Sequence, residues 1–99
     1  MSKVAKCLKY SAQWCGPCKQ LKPVFEKVAK MSEFKDIEFI QCDIESDDEE
    51  ILDNVEKHQI RSVPTIVLTD ENNNVLKKVS GSLPEASLVE FLKTELADA

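Results

Sequence analysis

From Lys3 to Tyr10 the apolar residues occupy both parities, with Val4, Leu8 and Tyr10 on one and Ala5 and Cys7 on the other. That pattern predicts a strand covered on both faces. From Cys15 to about Ser32 the period changes to helical, with Leu21, Val24, Phe25, Val28 and Met31 on one side. Pro23 falls inside this run, where its missing N–H is expected to kink the helix. Ile37 to Cys42 reads as a second strand. The acidic run Ser46-Asp47-Asp48-Glu49-Glu50 precedes Ile51, Leu52 and Val55, so it reads as a solvated helix N-terminus meeting the positive end of the dipole.

Val63 to Leu68 and Val75 to Val79 read as a third and a fourth strand, joined by Asp70-Glu71-Asn72-Asn73-Asn74 as a hairpin turn. Asparagine tolerates the left-handed backbone that such turns need. Ser82-Leu83-Pro84-Glu85 resembles a capping box, with Pro84 early in a last helix that turns Leu88, Val89, Leu92 and Leu96 inward. The predicted order is βαβαββα. A β-α-β start requires a parallel crossover, and the short final loop an antiparallel hairpin.

The 99 residues suffice for one core, so 1–99 is expected to be a single α/β domain. With 42% hydrophobic and 31% charged residues the chain is ordinary globular protein, and no apolar run reaches membrane-span length. No signal-peptide core opens the sequence, which points to a reducing, cytoplasmic setting. A net charge of −5 argues against nucleic acid or an anionic membrane as partner.

Against that background the stretch Trp14-Cys15-Gly16-Pro17-Cys18 stands out, because it lies between the first strand and the first helix. Two cysteines so spaced can hold a metal, a permanent disulfide, or a disulfide that is made and broken. Zinc needs two further ligands, and the candidates Cys7, Cys42 and His58 have no knuckle spacing. Cys7 and Cys42 read as small buried hydrophobes, and His58 as a helix-terminal cation or surface group. At a helix N-terminus, unpaired N–H groups stabilise an anion, and the thiolate is the reactive form of cysteine. Cys15 is thus the expected nucleophile and Cys18, one turn further in, its less exposed partner. Gly16 permits a tight approach and Pro17 stiffens the turn, while Trp14 offers a large amphipathic ring for contact with a protein.

Trp14-Cys15-Gly16-Pro17-Cys18-Lys19 resembles the active site of the thioredoxin family, and Pro23 stands where that family places a helix-kinking proline. Ile60-Arg61-Ser62-Val63-Pro64-Thr65 is similar to its cis-proline segment, and Ser80-Gly81 to the small-residue site beyond the last strand. The resemblance implies a dithiol-disulfide oxidoreductase with a thioredoxin fold, a four-stranded mixed sheet of order 2-1-3-4 flanked by three helices. It implies that Cys15 attacks a protein disulfide and Cys18 resolves the mixed disulfide. Substrate is then expected along Trp14, Gly16, Pro17, Val63, Pro64 and Gly81, with the Val63 backbone pairing like an added strand. Partners are disulfide-containing proteins and a thioredoxin-reductase-like donor. A monomer with no cofactor and no metal is expected.

Two features depart from the family pattern. Fourteen residues precede Cys15, where the family usually has a further strand and helix, as glutaredoxins do not. Lys9 stands where thioredoxins usually carry a buried aspartate behind the cysteines. Either its amine favours the thiolate and assists Cys18 when deprotonated, or it is an exposed strand residue with its ammonium in water. Two other functions remain open at this level. A glutathione-coupled, glutaredoxin-like enzyme would have a glycine pair after the fourth strand, where only Gly81 stands, followed by Ser82. An interaction subunit of the same fold would keep its function without either cysteine.

Overall fold

The computed structural model describes residues 3–97. Among them are strands β1 (Lys6–Ser11), β2 (Glu38–Asp43), β3 (Thr65–Thr69) and β4 (Val75–Ser80), and helices α1 (Gly16–Ala29), α2 (Glu49–Lys57) and α3 (Glu85–Ala97). A short 3₁₀ turn at Ser32–Phe34 lies between α1 and β2. The sheet order is β2-β1-β3-β4, with β1 and β2 parallel and the other neighbours antiparallel. This is the mixed sheet the sequence predicts, with element bounds shifted by a few residues.

The shifts have local causes. β3 starts at Thr65 rather than Val63, directly after Pro64, which has no N–H to give to a ladder. β1 starts at Lys6, and Val4 packs with Cys7 rather than on the parity of Leu8 and Tyr10. α1 runs through Pro23 and ends at Ala29. Pro84 stands just ahead of α3 instead of inside it, its carbonyl accepting the Leu88 N–H at 3.1 Å.

Each face of the sheet has its own core. On one, Cys7, Ile66 and Leu68 meet Leu21, Phe25 and Val28 of α1 and Leu88 and Leu92 of α3. On the other, Leu8, Tyr10, Cys42 and Val67 lie under Ile51 and Val55 of α2. Every residue of β3 is buried, as a strand covered on both faces demands.

The loops follow from their side chains. Asp48 caps α2, its carboxylate accepting from Glu50 N at 2.9 Å, so the acidic run is a helix start. α2 ends in a Schellman turn: Gln59 takes φ 56°, and Ile60 N donates back to Val55 O at 2.9 Å. In the hairpin turn Asp70 Oδ1 accepts from the N–H groups of Asn72 and Asn74, both at 2.9 Å, and Asn73 adopts φ 66°. This is the left-handed turn residue that the asparagine run predicts.

His58 is the clear correction. It is 2% exposed, not a surface cation. Its Nδ1 lies 2.9 Å from the Tyr10 hydroxyl and its Nε2 3.4 Å from the Asn73 carbonyl. With Nε2–H directed at that carbonyl, Nδ1 accepts and Tyr10 donates. Burial, the largest effect, lowers the His58 pKa against the partly opposing bonds to Asn73.

Candidate active site

β1 ends at Ser11, and the chain turns through Ala12 to Trp14 before α1 starts at Gly16. Cys15 is therefore the N-cap of α1, in an extended conformation with φ −88° and ψ 111°. Its sulfur takes the place of the usual capping oxygen, accepting the Cys18 N–H at 3.2 Å. Cys15 and Cys18 form a disulfide, with Cα atoms 5.2 Å apart, well within the range such a bridge requires. Once reduced, the same N–H and the helix dipole remain to stabilise a thiolate at Cys15.

The two sulfurs differ less in cover than the sequence suggests. Cys15 is 5% and Cys18 3% exposed, because Ala12, Val63 and Ile44 close over the pair. Gly16 is also different from its expected role. A Cβ there would meet nothing within 4 Å, so no close approach inside this chain requires glycine. The bare backbone is open to the outside instead. Pro17 occupies the first turn of α1, where its missing N–H breaks no helical bond.

Val63 and Pro64 come to the pair from the opposite side. The Val63 carbonyl oxygen lies 3.7 Å from Cys15 Sγ, and the Val63–Pro64 peptide bond is cis, as the resemblance implies. Two bonds hold this loop: Thr65 Oγ1 donates to Ser62 O at 2.7 Å, and Gly81 N donates to Pro64 O at 2.8 Å. Gly81 sits at φ +98°, a region that side chains rarely enter. Trp14, 67% exposed, shares a depression of about 180 Å³ with Ile44, Val55, Ile60 and Val63. The structure thus brings Val63 against the disulfide, with Trp14 sharing a depression with Val63 and Gly81 bonded to Pro64. Ile44, Val55 and Ile60 were not foreseen, and their signal was the apolar position just beyond β2 and on the Schellman turn of α2.

Behind Cys18 lies a cavity of about 320 Å³, with Lys9 in its wall. Lys9 is 2% exposed, so it is not an exposed strand residue, although its ammonium is not sealed from solvent. Its strand parity turns it toward α1, and its Nζ sits 5.6 Å from the centre of the Phe25 ring. Burial first, then the charge of Lys22, lowers its pKa below the usual lysine range, while Glu26 partly opposes. Gln41, its register partner on β2, and Asp43 also line this cavity and were absent from the sequence-level site.

Cys7 and Cys42 are free and buried. Burial raises both thiol pKa values, that of Cys42 to about 11 with help from Asp48 and Glu50. They belong to the cores of opposite sheet faces. Neither reaches the Cys15–Cys18 pair, which packs with Ala12, Ile44 and Val63.

A capped, disulfide-forming pair at the start of a helix, beside an exposed aromatic ring and an ordered loop, defines a dithiol-disulfide oxidoreductase. Residues 2–94 match the thioredoxin family model. The chain is 36% identical over 84 residues to thioredoxin of Mycoplasmoides gallisepticum, covering 85% of this chain and 77% of that one. Thioredoxin of Pseudomonas aeruginosa is 33% identical over 87 residues, or 88% of this chain and 75% of that one. The crystal structure of Malassezia sympodialis thioredoxin superimposes with a TM-score of 0.78 at 26% identity, over 95% of this chain and 76% of that one. The chain belongs to the thioredoxin family.

Proposed function

We propose that the protein reduces protein disulfides through a mixed-disulfide intermediate. The Cys15 thiolate attacks one sulfur of a substrate disulfide, forming a Cys15–substrate bond and expelling the other sulfur as a thiolate. Cys18, deprotonated, then attacks Cys15 Sγ, closes the Cys15–Cys18 disulfide and expels the second substrate thiolate. Two electrons pass to the substrate, and the two expelled thiolates take up protons. A separate reductase of the thioredoxin-reductase type returns two electrons to the pair, so no bound cofactor is invoked.

The observation that carries this reading is the position of Cys15: N-cap of α1, hydrogen-bonded through sulfur to Cys18 N at 3.2 Å, and facing the Val63 carbonyl. Substrate lies along Trp14, Gly16, Pro17, Val63, Pro64 and Gly81. An extended peptide reaches the Val63 backbone in the manner of an added strand, and the open space at Gly16 admits its main chain. Lys9 attracts negative charge toward Cys18 as an ammonium and accepts the Cys18 proton as a neutral amine, a form its lowered pKa makes accessible. The single-domain monomer acts in a reducing, cytoplasmic compartment, where Cys7 and Cys42 stay as thiols.

The test is trapping. A Cys18→Ser variant accumulates a covalent complex with a disulfide-bonded substrate protein, visible on a non-reducing gel, whereas Cys15→Ser forms none. Trapping by Cys15→Ser instead would reverse the roles. If the double serine variant kept all cellular activity, the fold would serve as an interaction subunit.

A further inference from the structure

The cavity behind Cys18 has an electrostatic character opposite to that of the chain. Net charge is −5, yet this wall collects Lys9, Lys19 and Lys22 against the single carboxylate of Asp43. Asp43 is already engaged, its Oδ1 accepting the Glu45 N–H at 2.8 Å. Lys9 is the unusual member. It is 2% exposed and, among the described residues, makes no hydrogen bond and no ion pair; Nζ lies 5.6 Å from the Phe25 ring centre and feels the charges of Lys22 and Glu26 of α1. Its stem is buried while its ammonium keeps contact with solvent, so an anion entering the cavity it lines meets an unpaired cation. The volume of about 320 Å³ far exceeds that of one water, about 30 Å³. It has room for an oxyanion together with part of its hydration.

We infer that this cavity is a binding site for a small oxyanion of phosphate or carboxylate type, held by Lys9 and Lys22 and coupled to the redox state of Cys15 and Cys18. The coupling rests on the redox reading above and follows from sharing one cation. In the oxidised protein Cys18 carries no charge, and the anion has Lys9 to itself. In the reduced protein a Cys18 thiolate faces the same cavity and repels it. The anion therefore binds the disulfide form more tightly, and by reciprocity it stabilises that form and lowers the reduction potential. An occupied cavity also keeps Lys9 protonated, withdrawing the proton acceptor from Cys18.

The experiment is a titration of inorganic phosphate into the oxidised protein at constant ionic strength, balanced with sodium chloride, followed by backbone amide shifts. The potential is then measured with and without phosphate. Saturable shifts centred on Ser11, Cys18 and Gln41 are expected, weakened several-fold in Lys22→Gln and lost in Lys9→Met. A tenfold preference for the oxidised form lowers the potential by about 30 mV. Should Lys9→Met fail to fold, the shift map and Lys22→Gln decide alone. Non-saturating shifts scattered over surface lysines, or equal affinity in Lys22→Gln, overturn the site. Saturable binding with an unmoved potential overturns the coupling.

Shifts are also recorded on the Cys15→Ser, Cys18→Ser double variant, where binding persists even if the redox reading fails. A second arm separates the source of the anion. Disulfide peptides differing only by Glu or Gln are compared, and cavity shifts with the Glu peptide but none with phosphate would overturn a free-anion site.

Discussion

Two buried titratable side chains, Lys9 and His58, carry a cost that pH can expose. His58 is neutral in the core and its pKa is lowered, so the unfolded chain binds the extra proton first as pH falls. Stability is present above the unfolded histidine value, about 6.5, and falls as pH drops from there toward the lowered folded value. Urea midpoints measured from pH 8 down to 5 therefore decline in the wild type, and His58→Gln flattens that decline. At neutral pH, Tyr10→Phe removes the donor to Nδ1 and costs about 1 kcal/mol. Lys9 has the same sign but another window. Its lowered pKa means that the unfolded chain binds more protons between the folded value and about 10.4, so stability rises with pH across that interval. In phosphate-free buffer Lys9→Met is more stable than wild type, and the gain shrinks as pH climbs. A gain that does not change with pH would mean that the effect is packing against Phe25 rather than charge.

Elements were largely legible because period and punctuation agreed. The Asn run carried the hairpin turn, Asp48 the start of α2, and the change of period the end of β1. What the sequence left hidden came from partners far along the chain. His58 reads as exposed because helix ends usually are, but Tyr10 and Asn73 close over it, 48 and 15 residues away. A core tyrosine needs a partner for its hydroxyl, and that was the available sign. Lys9 and Gln41 share a cavity only through the β1–β2 register. The two left-handed residues that end α2 and β4 make opposite predictions. Gln59→Gly relieves a side chain at φ 56° and raises stability by up to about 1 kcal/mol. Gly81→Ala forces a side chain to φ +98° and costs about 1–2 kcal/mol, although nothing blocks the new methyl group. Denaturant midpoints measure both, and equal signs would contradict the backbone argument.

At the scale of the whole molecule, the sheet is a partition with the reactive pair just beyond the end of its interior strand β1 and an inert thiol on each side. Burial holds Cys7 and Cys42 protonated, so iodoacetamide applied to the reduced native protein modifies Cys15 first and leaves those two unlabelled until unfolding. Mass spectrometry reads this directly, and early labelling of Cys42 would show that α2 opens. The separation of the two inert thiols has a stoichiometric consequence. They lie in different cores and cannot meet within one folded chain, so oxidation by thiol–disulfide exchange withdraws two electrons per folded molecule, those of the Cys15–Cys18 pair. The thickness of the sheet thus limits the disulfides one folded chain can form to the Cys15–Cys18 pair.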